Sequence, residues 1–508
     1  MSGVVPPCWS VQKVQFQEVG QTSRFGPVTT RNLPLELDGD GPLFLRIARG
    51  VMRDVRRGRL VPGQQLPGSR AWAGALGVHR NTVLSALREL EAQGWLTTTP
   101  ARGTFVSEAL PEAAQETKRK GLAPLGITLP PEPDFLQSRP FTLANDVIHL
   151  SAGTPDPRLV PVELIARTWR RVVRRGGKRL LEYGEPGGHG ALREALARQV
   201  RELRGVPATA HQIVVTRGSQ MALDLIARTV LRRGDVVAVE ALGYQPAWEA
   251  LRLAGASLVP VHVDGGGLDV DALERLAKKR KVRAVYLTPH HQYPTTVTLS
   301  AARRLQLLEV ARRHGLLVLE DDYDHEFHFD GRPVLPLISA DDAGVVASIG
   351  TLSKVLAPGL RLGFIVAPTE LADRLTRARA VMDRQGDHPM EATVAELLDE
   401  GELQRHVRKM RGVYLRRRDF LVDRLQKKLG GVLDVRSPSG GISIWARVTK
   451  PIDLEAWHSA AIARGVSFNA GRRYTFDGRE PGAIRMVFAR FNEAELSRAV
   501  DVLAATVR

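Results

Sequence analysis

SIGTLSKVLAPGLRLGF, residues 348–364, places one lysine, Lys354, in a turn rich in hydroxyl side chains between apolar segments, with Arg361 seven residues further along a loop broken by glycine and proline. A solvated loop lysine would satisfy this stretch taken alone. Its meaning depends on what the rest of the chain brings beside it.

Around it, from about Asn145 onward, β-rich apolar runs alternate with helical or loop segments: QIVVT (212–216), VVAVE (236–240), SLVPVHV (257–263), AVYLTP (284–289), LLVLED (316–321) and VVASIG (345–350). That alternation predicts an α/β domain with a mainly parallel sheet. Ligands in such sheets bind beyond the carboxyl ends of the strands, and several ends carry polar residues. LLVLED runs into Asp321, Asp322 and Tyr323. VVT leads through Gly218, Ser219 and Gln220 directly into a helical pattern, where free backbone N–H groups suit a phosphate. Thr351, Ser353 and Arg361 add hydroxyls and a fixed guanidinium fork for the same anion. Tyr244, after VVAVE, offers a ring to lie over a flat molecule.

A lysine, a carboxylate, a phosphate cup and an aromatic lid together describe a site for pyridoxal 5'-phosphate. In that reading Lys354 forms the Schiff base, its amine freed by a lowered pKa. Asp321 keeps the ring nitrogen protonated, and Tyr323 reaches the phenolic oxygen. The plainer alternatives are a strand-end cap for Asp321 and a packing role for Tyr244.

The N-terminal part has a different pattern. Leu43, Ile47, Val51 and Val55 recur at helical spacing, and Pro62, Gly63, Pro67 and Gly68 break the helix. Two short helical runs follow, SRAWAGALG and HRNTVLSALRELEAQG, then WLTTTPARGTFVSE, which reads as a hairpin. This order predicts a winged helix-turn-helix, whose last helix enters the major groove of double-stranded DNA. His79, Arg80, Asn81 and Thr82 open that helix; Arg70 opens the preceding one, and Arg102 with Gly103 forms the wing tip. Val83, Leu84, Leu87 and Leu90 are its expected inner face. A small protein-binding domain with a solvated arginine face is the alternative.

LPGSRAWAGALGVHRNTVLSALRELEAQGWLTTTPARGTFV, residues 66–106, resembles the DNA-binding domain of the GntR family, with Trp72 as a departure expected to affect packing more than DNA contact. The large domain is similar to fold-type I aminotransferases. From about Pro42 to Arg508 the chain resembles the MocR subfamily of GntR regulators, through YGEPGGHGALREALA, TPHHQYPTTVTLSAARR, LEDDYDHEF, GTLSKVLAPGLRLG and GELQRHVRKMRGVYLRRR. The resemblance implies that Lys354 carries the cofactor, Asp321 meets its ring nitrogen, Tyr323 its phenolic oxygen, and Arg361 with Ser353 its phosphate. It also implies that Arg485 takes the carboxylate of a substrate or effector, and that two subunits complete each site in a homodimer. Two residues depart from the family pattern: Thr296 stands where a tight-turn glycine is usual, and Leu242 where proline is common, which is expected to loosen that turn.

The expected architecture is an N-terminal extension (1–34), a winged helix-turn-helix (35–108), a linker (109–145) and an aminotransferase-like domain (146–508) ending in a smaller α+β subdomain. The 508 residues exceed one core. The single cysteine, Cys8, excludes an internal disulfide and leaves no thiolate cluster, so no metal site is expected. No apolar run reaches the length of a membrane span and no signal-peptide pattern opens the chain, which predicts a soluble cytoplasmic protein without a membrane partner. The net charge of +17 fits polyanion binding but fits an arginine-rich composition equally. The leading expectation is a transcription regulator that binds operator DNA and senses pyridoxal phosphate or a small amine or amino acid. A working aminotransferase with an accessory DNA-binding domain is the alternative.

Overall fold

The computed structural model describes residues 33, 35–37, 40–111, 127–129, 131, 133, 147–151, 153–331 and 334–507. The expected N-terminal extension and linker lie almost entirely outside the described residues. The chain divides into two compact units, Met1–Pro130 and Pro131–Arg508.

In the first unit, α1 (Leu43–Arg56) buries Ile47, Ala48, Val51 and Val55 along one stripe and leaves its arginines outside, with Leu43 at the exposed end. Gly77, at φ 65°, ends α2 (Ser69–Leu76), and α3 (Arg80–Ala92) follows after Val78 and His79. Strands β1 (Leu96–Thr99) and β2 (Gly103–Val106) pair antiparallel, with Thr99 opposite Gly103. The helices and hairpin close over Trp72, Val83, Ala86 and Leu90, all buried, whereas Leu84 is only half-buried. Trp72 does act in packing: it is fully enclosed, and its indole N–H donates to the Leu33 carbonyl at 3.3 Å.

The second unit begins with β3 (Ile148–His149), α4 (Val162–Gly176) and α5 (Gly190–Arg204). It continues through β4 (Ile213–Thr216), α6 (Ser219–Val230), β5 (Val236–Glu240), α7 (Gln245–Leu253), β6 (Ser257–Val261), β7 (Val263–Asp264), β8 (Gly267–Leu268) and α8 (Val270–Lys279). Then come β9 (Val282–Leu287), α9 (Ala301–His314), β10 (Leu317–Asp322), β11 (Val346–Thr351) and β12 (Gly363–Val366). Seven strands form one sheet in the order β4-β12-β11-β10-β9-β5-β6, parallel except for β12, which runs against both neighbours. Strands in a sheet covered on both faces must be apolar throughout. Val237, Val239, Tyr286 and Ile349 pack with α6 and α7 on one face, while Ala238, Val285, Leu287 and Val318 pack with α8 and α9 on the other. Truncating one of these large aliphatic side chains to alanine costs about 2–5 kcal/mol.

The chain then runs through α10 (Thr369–Met382), α11 (His388–Asp399) and the long α12 (Glu402–Leu429) into the smaller subdomain. Here β13 (Leu433–Val435), β14 (Ser443–Val448), α13 (Leu454–Ile462), β15 (Val466–Ser467), β16 (Asn469–Ala470), β17 (Ala483–Val487) and α14 (Glu493–Thr506) follow. Its sheet, β13-β14-β17-β16, packs on Tyr414, Leu421 and Leu425 of α12 and Leu496, Val500 and Leu503 of α14. Arg485 sits at the centre of β17, opposite Trp445 and Asn469.

Candidate functional site

The carboxyl ends of β10 and β11 bring Asp321 and the turn of Lys354 side by side. The Lys354 ammonium donates to the Gly153 carbonyl at 2.6 Å. Burial and the neighbouring Arg485 guanidinium lower its pKa to about 8. Asp321 is buried; its Oδ2 accepts the Tyr286 hydroxyl at 2.8 Å, and its Oδ1 has no partner. Burial raises this carboxyl to about 7, against the pull of Tyr286 and Lys354. Successive strand residues face opposite sides of a sheet, and Asp322 points away into a different set of partners. It accepts from Arg204 at 3.0 Å and lies 3.2 Å from His325 Nδ1. Burial opposes ionisation there, yet His325 and Arg204 hold Asp322 well below the usual carboxylate range.

Gly218 caps the start of α6 at φ 82°, a conformation that suits glycine. The Arg361 guanidinium packs where a side chain at Gly218 would sit, 3.1 Å from an ideal Cβ, and donates to the Arg217 carbonyl at 2.8 Å. Arg361 itself holds φ 52°. Ser219 and Gln220 form the first positions of α6, but the Gln220 amide donates to the Pro246 carbonyl at 2.8 Å, so its backbone N–H is the group left for an anion. Thr351 and Ser353 are buried beside them, the Thr351 hydroxyl accepting from the Ser353 N–H at 3.1 Å.

Four aromatic rings complete the pocket wall, and sequence reasoning found two of them. Tyr293 is the hub: Tyr244 lies edge-on at 5.3 Å, Tyr474 at 5.5 Å and Tyr323 at 6.2 Å between ring centroids. The buried Arg485 guanidinium stacks over the Tyr293 ring at 4.6 Å. The Tyr323 hydroxyl donates to the His291 carbonyl at 3.0 Å. Glu240 was also missed; buried at the end of β5, it accepts the Thr288 hydroxyl at 2.9 Å, and burial lifts its pKa to about 8. Thr296 adopts φ 66°, the conformation of the glycine it replaces, at a cost of about 1–2 kcal/mol. The turn at Leu242 is not loose: its carbonyl accepts from Gln292 at 2.7 Å, and the Gly243 N–H donates to the Tyr474 carbonyl at 2.8 Å.

These residues fit pyridoxal phosphate. A buried carboxylate oxygen without a donor is what a protonated ring nitrogen satisfies, and a glycine-started helix with an arginine fork suits a phosphate.

In the smaller unit, His79 caps α3, its Nδ1 accepting from the Asn81 N–H at 3.2 Å. Arg70, His79, Arg80 and Asn81 are exposed, and Thr82 is half-buried. Arg80 Nε donates to the Ser69 hydroxyl at 3.2 Å, tying the starts of α2 and α3 together. At the hairpin tip Arg102 is exposed, and Gly103 holds φ 116° with the Gln65 amide 2.6 Å from where its Cβ would be. Gln65, also missed by sequence reasoning, donates to the Arg102 carbonyl at 2.8 Å and so fixes the wing.

Fold and site together define a DNA-binding regulator built on a pyridoxal-phosphate-dependent aminotransferase fold. Residues 43–106 match the bacterial regulatory proteins of the gntR family, and residues 145–503 match aminotransferase class I and II. The chain belongs to the GntR regulators that carry a class I and II aminotransferase domain, the MocR type. It is 32% identical over 462 residues to the probable rhizopine catabolism regulatory protein MocR of Rhizobium meliloti, covering 89% of this chain and 91% of that one. It is 30% identical to the transcriptional regulator TauR of Rhodobacter capsulatus, covering 92% and 97%. Among solved structures it resembles the α-aminoadipate aminotransferase LysN of Thermus thermophilus, complexed with N-(5'-phosphopyridoxyl)-L-leucine, at 29% identity and TM-score 0.66 over 71% of this chain and 92% of that one. No helix among the described residues is long and apolar enough to cross a membrane.

Proposed function

We propose that this regulator holds pyridoxal phosphate on Lys354 and reads, at the same site, a small molecule bearing an amine and a carboxylate. The observation that carries the reading is the meeting of Lys354 and Arg485 at Gly153, with Asp321 in the field of Lys354: Lys354 donates to the Gly153 carbonyl, and the Arg485 fork lies 3.4 Å from an ideal Cβ on Gly153. When bound, the cofactor supplies an aldehyde that combines with amines and a ring that accepts electrons.

The chain's own groups perform the rest. With a pKa of about 8, Lys354 presents a useful fraction of free amine near neutral pH. Asp321 Oδ1 would accept a hydrogen bond from the ring nitrogen and so hold its proton on the ring, while Tyr286 fixes the carboxylate plane through Oδ2. Arg361, Ser353, Thr351 and the Gly218–Gln220 backbone take the phosphate. Tyr244 and Tyr293 wall the ring, Tyr323 reaches its phenolic side, and Arg485 takes the effector carboxylate.

On the DNA side, Arg70, His79, Arg80, Asn81 and Thr82 address the major groove of an operator, and Arg102 with Gly103 follows the backbone. The active species is a homodimer in the cytoplasm. Leu181, Tyr183 and Val381 are 70%, 78% and 92% exposed, and the Arg384 guanidinium lies 5.0 Å over the Tyr183 ring; large apolar side chains this exposed support a subunit contact. The domain boundaries follow the two recognisable modules, 35–108 and 146–508, with residues 109–145 as the connection.

Reduction of the cofactor-loaded protein with borohydride, followed by peptide mapping, tests the assignment. The label belongs on the Lys354 peptide and vanishes in Lys354→Ala; label on another lysine overturns it.

A further inference from the structure

Behind the tyrosine wall, four histidines gather that the proposed function does not use. His290 and His291 follow β9, and His325 and His328 follow β10. The expectation of no metal site rested on cysteine, but imidazole is also a ligand for borderline divalent ions. Ligand atoms of His290, His291 and His328 all lie within 4.8 Å of one another.

The state of each ring is legible. His291 is 1% exposed, and its Nδ1 meets Asp324 Oδ1 at 2.8 Å, so the proton sits on Nδ1 and the lone pair on Nε2. A carboxylate behind a histidine is the arrangement that orients metal-binding imidazoles and raises their basicity. That Nε2 is buried without a partner, as are both nitrogens of His290; the Asp330 backbone reaches one nitrogen of His328 and leaves the other without a partner. His290 is 3% exposed. A buried polar nitrogen left unsatisfied costs about 1–3 kcal/mol. Several in one cluster need a common explanation.

Gly440 supports the same space: it bridges His328, and a Cβ at this position would run into the His291 ring and the Phe327 carbonyl, so only glycine fits. A second grouping, His290 with Asp322 and His325, shares His290. There, however, Asp322 already accepts from Arg204 at 3.0 Å, and a cation would meet that guanidinium.

We propose that His290, His291 and His328 bind one divalent transition-metal ion of the zinc class, with Asp324 holding His291 in its ligating orientation. The ion takes neutral imidazole nitrogens at about 2.1 Å and brings them to roughly 3.4 Å from one another, a contraction that half-buried His328 is free to make. With three protein ligands the fourth position falls to water, and the ion acts on the loop: the His291 carbonyl accepts the Tyr323 hydroxyl, so fixing this loop fixes the wall around Arg485.

The test uses the full chain, purified without metal-affinity steps, stripped with a chelator and titrated with zinc chloride by calorimetry, with metal content measured after dialysis. One zinc per chain is expected, with a rise in melting temperature. His328→Asn, a change at a half-buried position, is expected to weaken zinc binding about tenfold or more while the cofactor absorbance band stays intact, and His290→Gln gives a second reading. Absence of stoichiometric zinc, or zinc bound equally well by both variants, overturns the proposal.

Discussion

The Tyr286 hydroxyl donates to Asp321 Oδ2 at 2.8 Å while Oδ1 of the same buried carboxylate has no partner. One oxygen is therefore fixed by the protein and the other left for a donor. Asp322, the next residue, points away from the lysine, its Oδ2 meeting Arg204 and His325 while its own Oδ1 has no partner. Asp321→Asn is accordingly expected to weaken pyridoxal phosphate binding by about 1.5–3 kcal/mol, the worth of a charge-assisted hydrogen bond, with little loss of stability. Asp322→Asn is expected to do the reverse: the cofactor is retained, but Arg204 keeps only Glu326, at 2.5 Å, as a charged hydrogen-bond partner, at a cost of about 1.5–3 kcal/mol. Cofactor titration by absorbance and denaturant unfolding on both variants separate the two roles.

The buried carboxyls also set a pH dependence. Asp321 and Glu320 are raised to about 7 and Glu240 to about 8, each by burial first. Folded-state values above the unfolded ones mean that the folded chain holds these protons more tightly. Their contribution to stability is present below about pH 4 and lost as pH rises toward about 8. Lys354, lowered to about 8, begins to lose its proton at the upper end of that window and acts in the opposite direction, because the unfolded chain holds the proton to higher pH. Histidines lowered by burial, such as His189, His290 and His406, act in the opposite direction below about pH 6.5, so the Asp321 contribution is read by difference. In the cofactor-free protein Asp321→Asn is expected to gain on the order of 2 kcal/mol relative to the unaltered chain as pH rises from 5 to 8, seen in the denaturant midpoints. The gain is expected to shrink in the loaded protein, where Asp321 has a cationic partner. An Asp321→Asn midpoint that follows the pH dependence of the unaltered chain contradicts this account.

Much of this site was readable beforehand, and the unread part has a physical cause. Lys354, Asp321, Arg361 and the Gly218 helix start announce themselves because each is a polar residue where an apolar strand stops. Tyr286 and Glu240 lie inside runs that read only as buried strand, so their polar atoms carry no sequence signal. Tyr293 and Tyr474 carry no signal of their own, because only the fold brings them from distant segments beside Tyr323 and Arg485, which were named from the sequence. The parallel sheet followed from the alternation of runs, but the reversed strand β12 did not, since a short apolar strand carries no mark of direction. Whether Asp321 or Asp322 faced the lysine was a question of strand register, which two adjacent carboxylates leave open.

On the DNA-binding unit, Arg80 both faces outward at the start of α3 and donates to Ser69. Arg80→Ala is expected to weaken operator binding by about 1–3 kcal/mol and relax sequence preference. Arg102→Ala, at the wing tip, is expected to weaken binding to all sequences similarly and to reduce the steepness of the salt dependence. Anisotropy titrations on matched and scrambled DNA at several salt concentrations distinguish the two; Arg80→Ala with unchanged affinity and salt slope places the recognition surface elsewhere.

The account joins the cofactor site to the DNA-binding module through one equilibrium. A ligand shifts that equilibrium only by its differential affinity for the two states, and the coupling is reciprocal. The most direct measurement is operator affinity of the full chain with and without saturating pyridoxal phosphate, then across a series of amino acids and amines, with molecular mass measured in parallel. The account predicts a dimer whose operator affinity changes by about 1–3 kcal/mol with cofactor or with at least one amine-carboxylate ligand, and a change that Lys354→Ala abolishes for the cofactor. An operator affinity and footprint that stay the same under every such ligand contradict it.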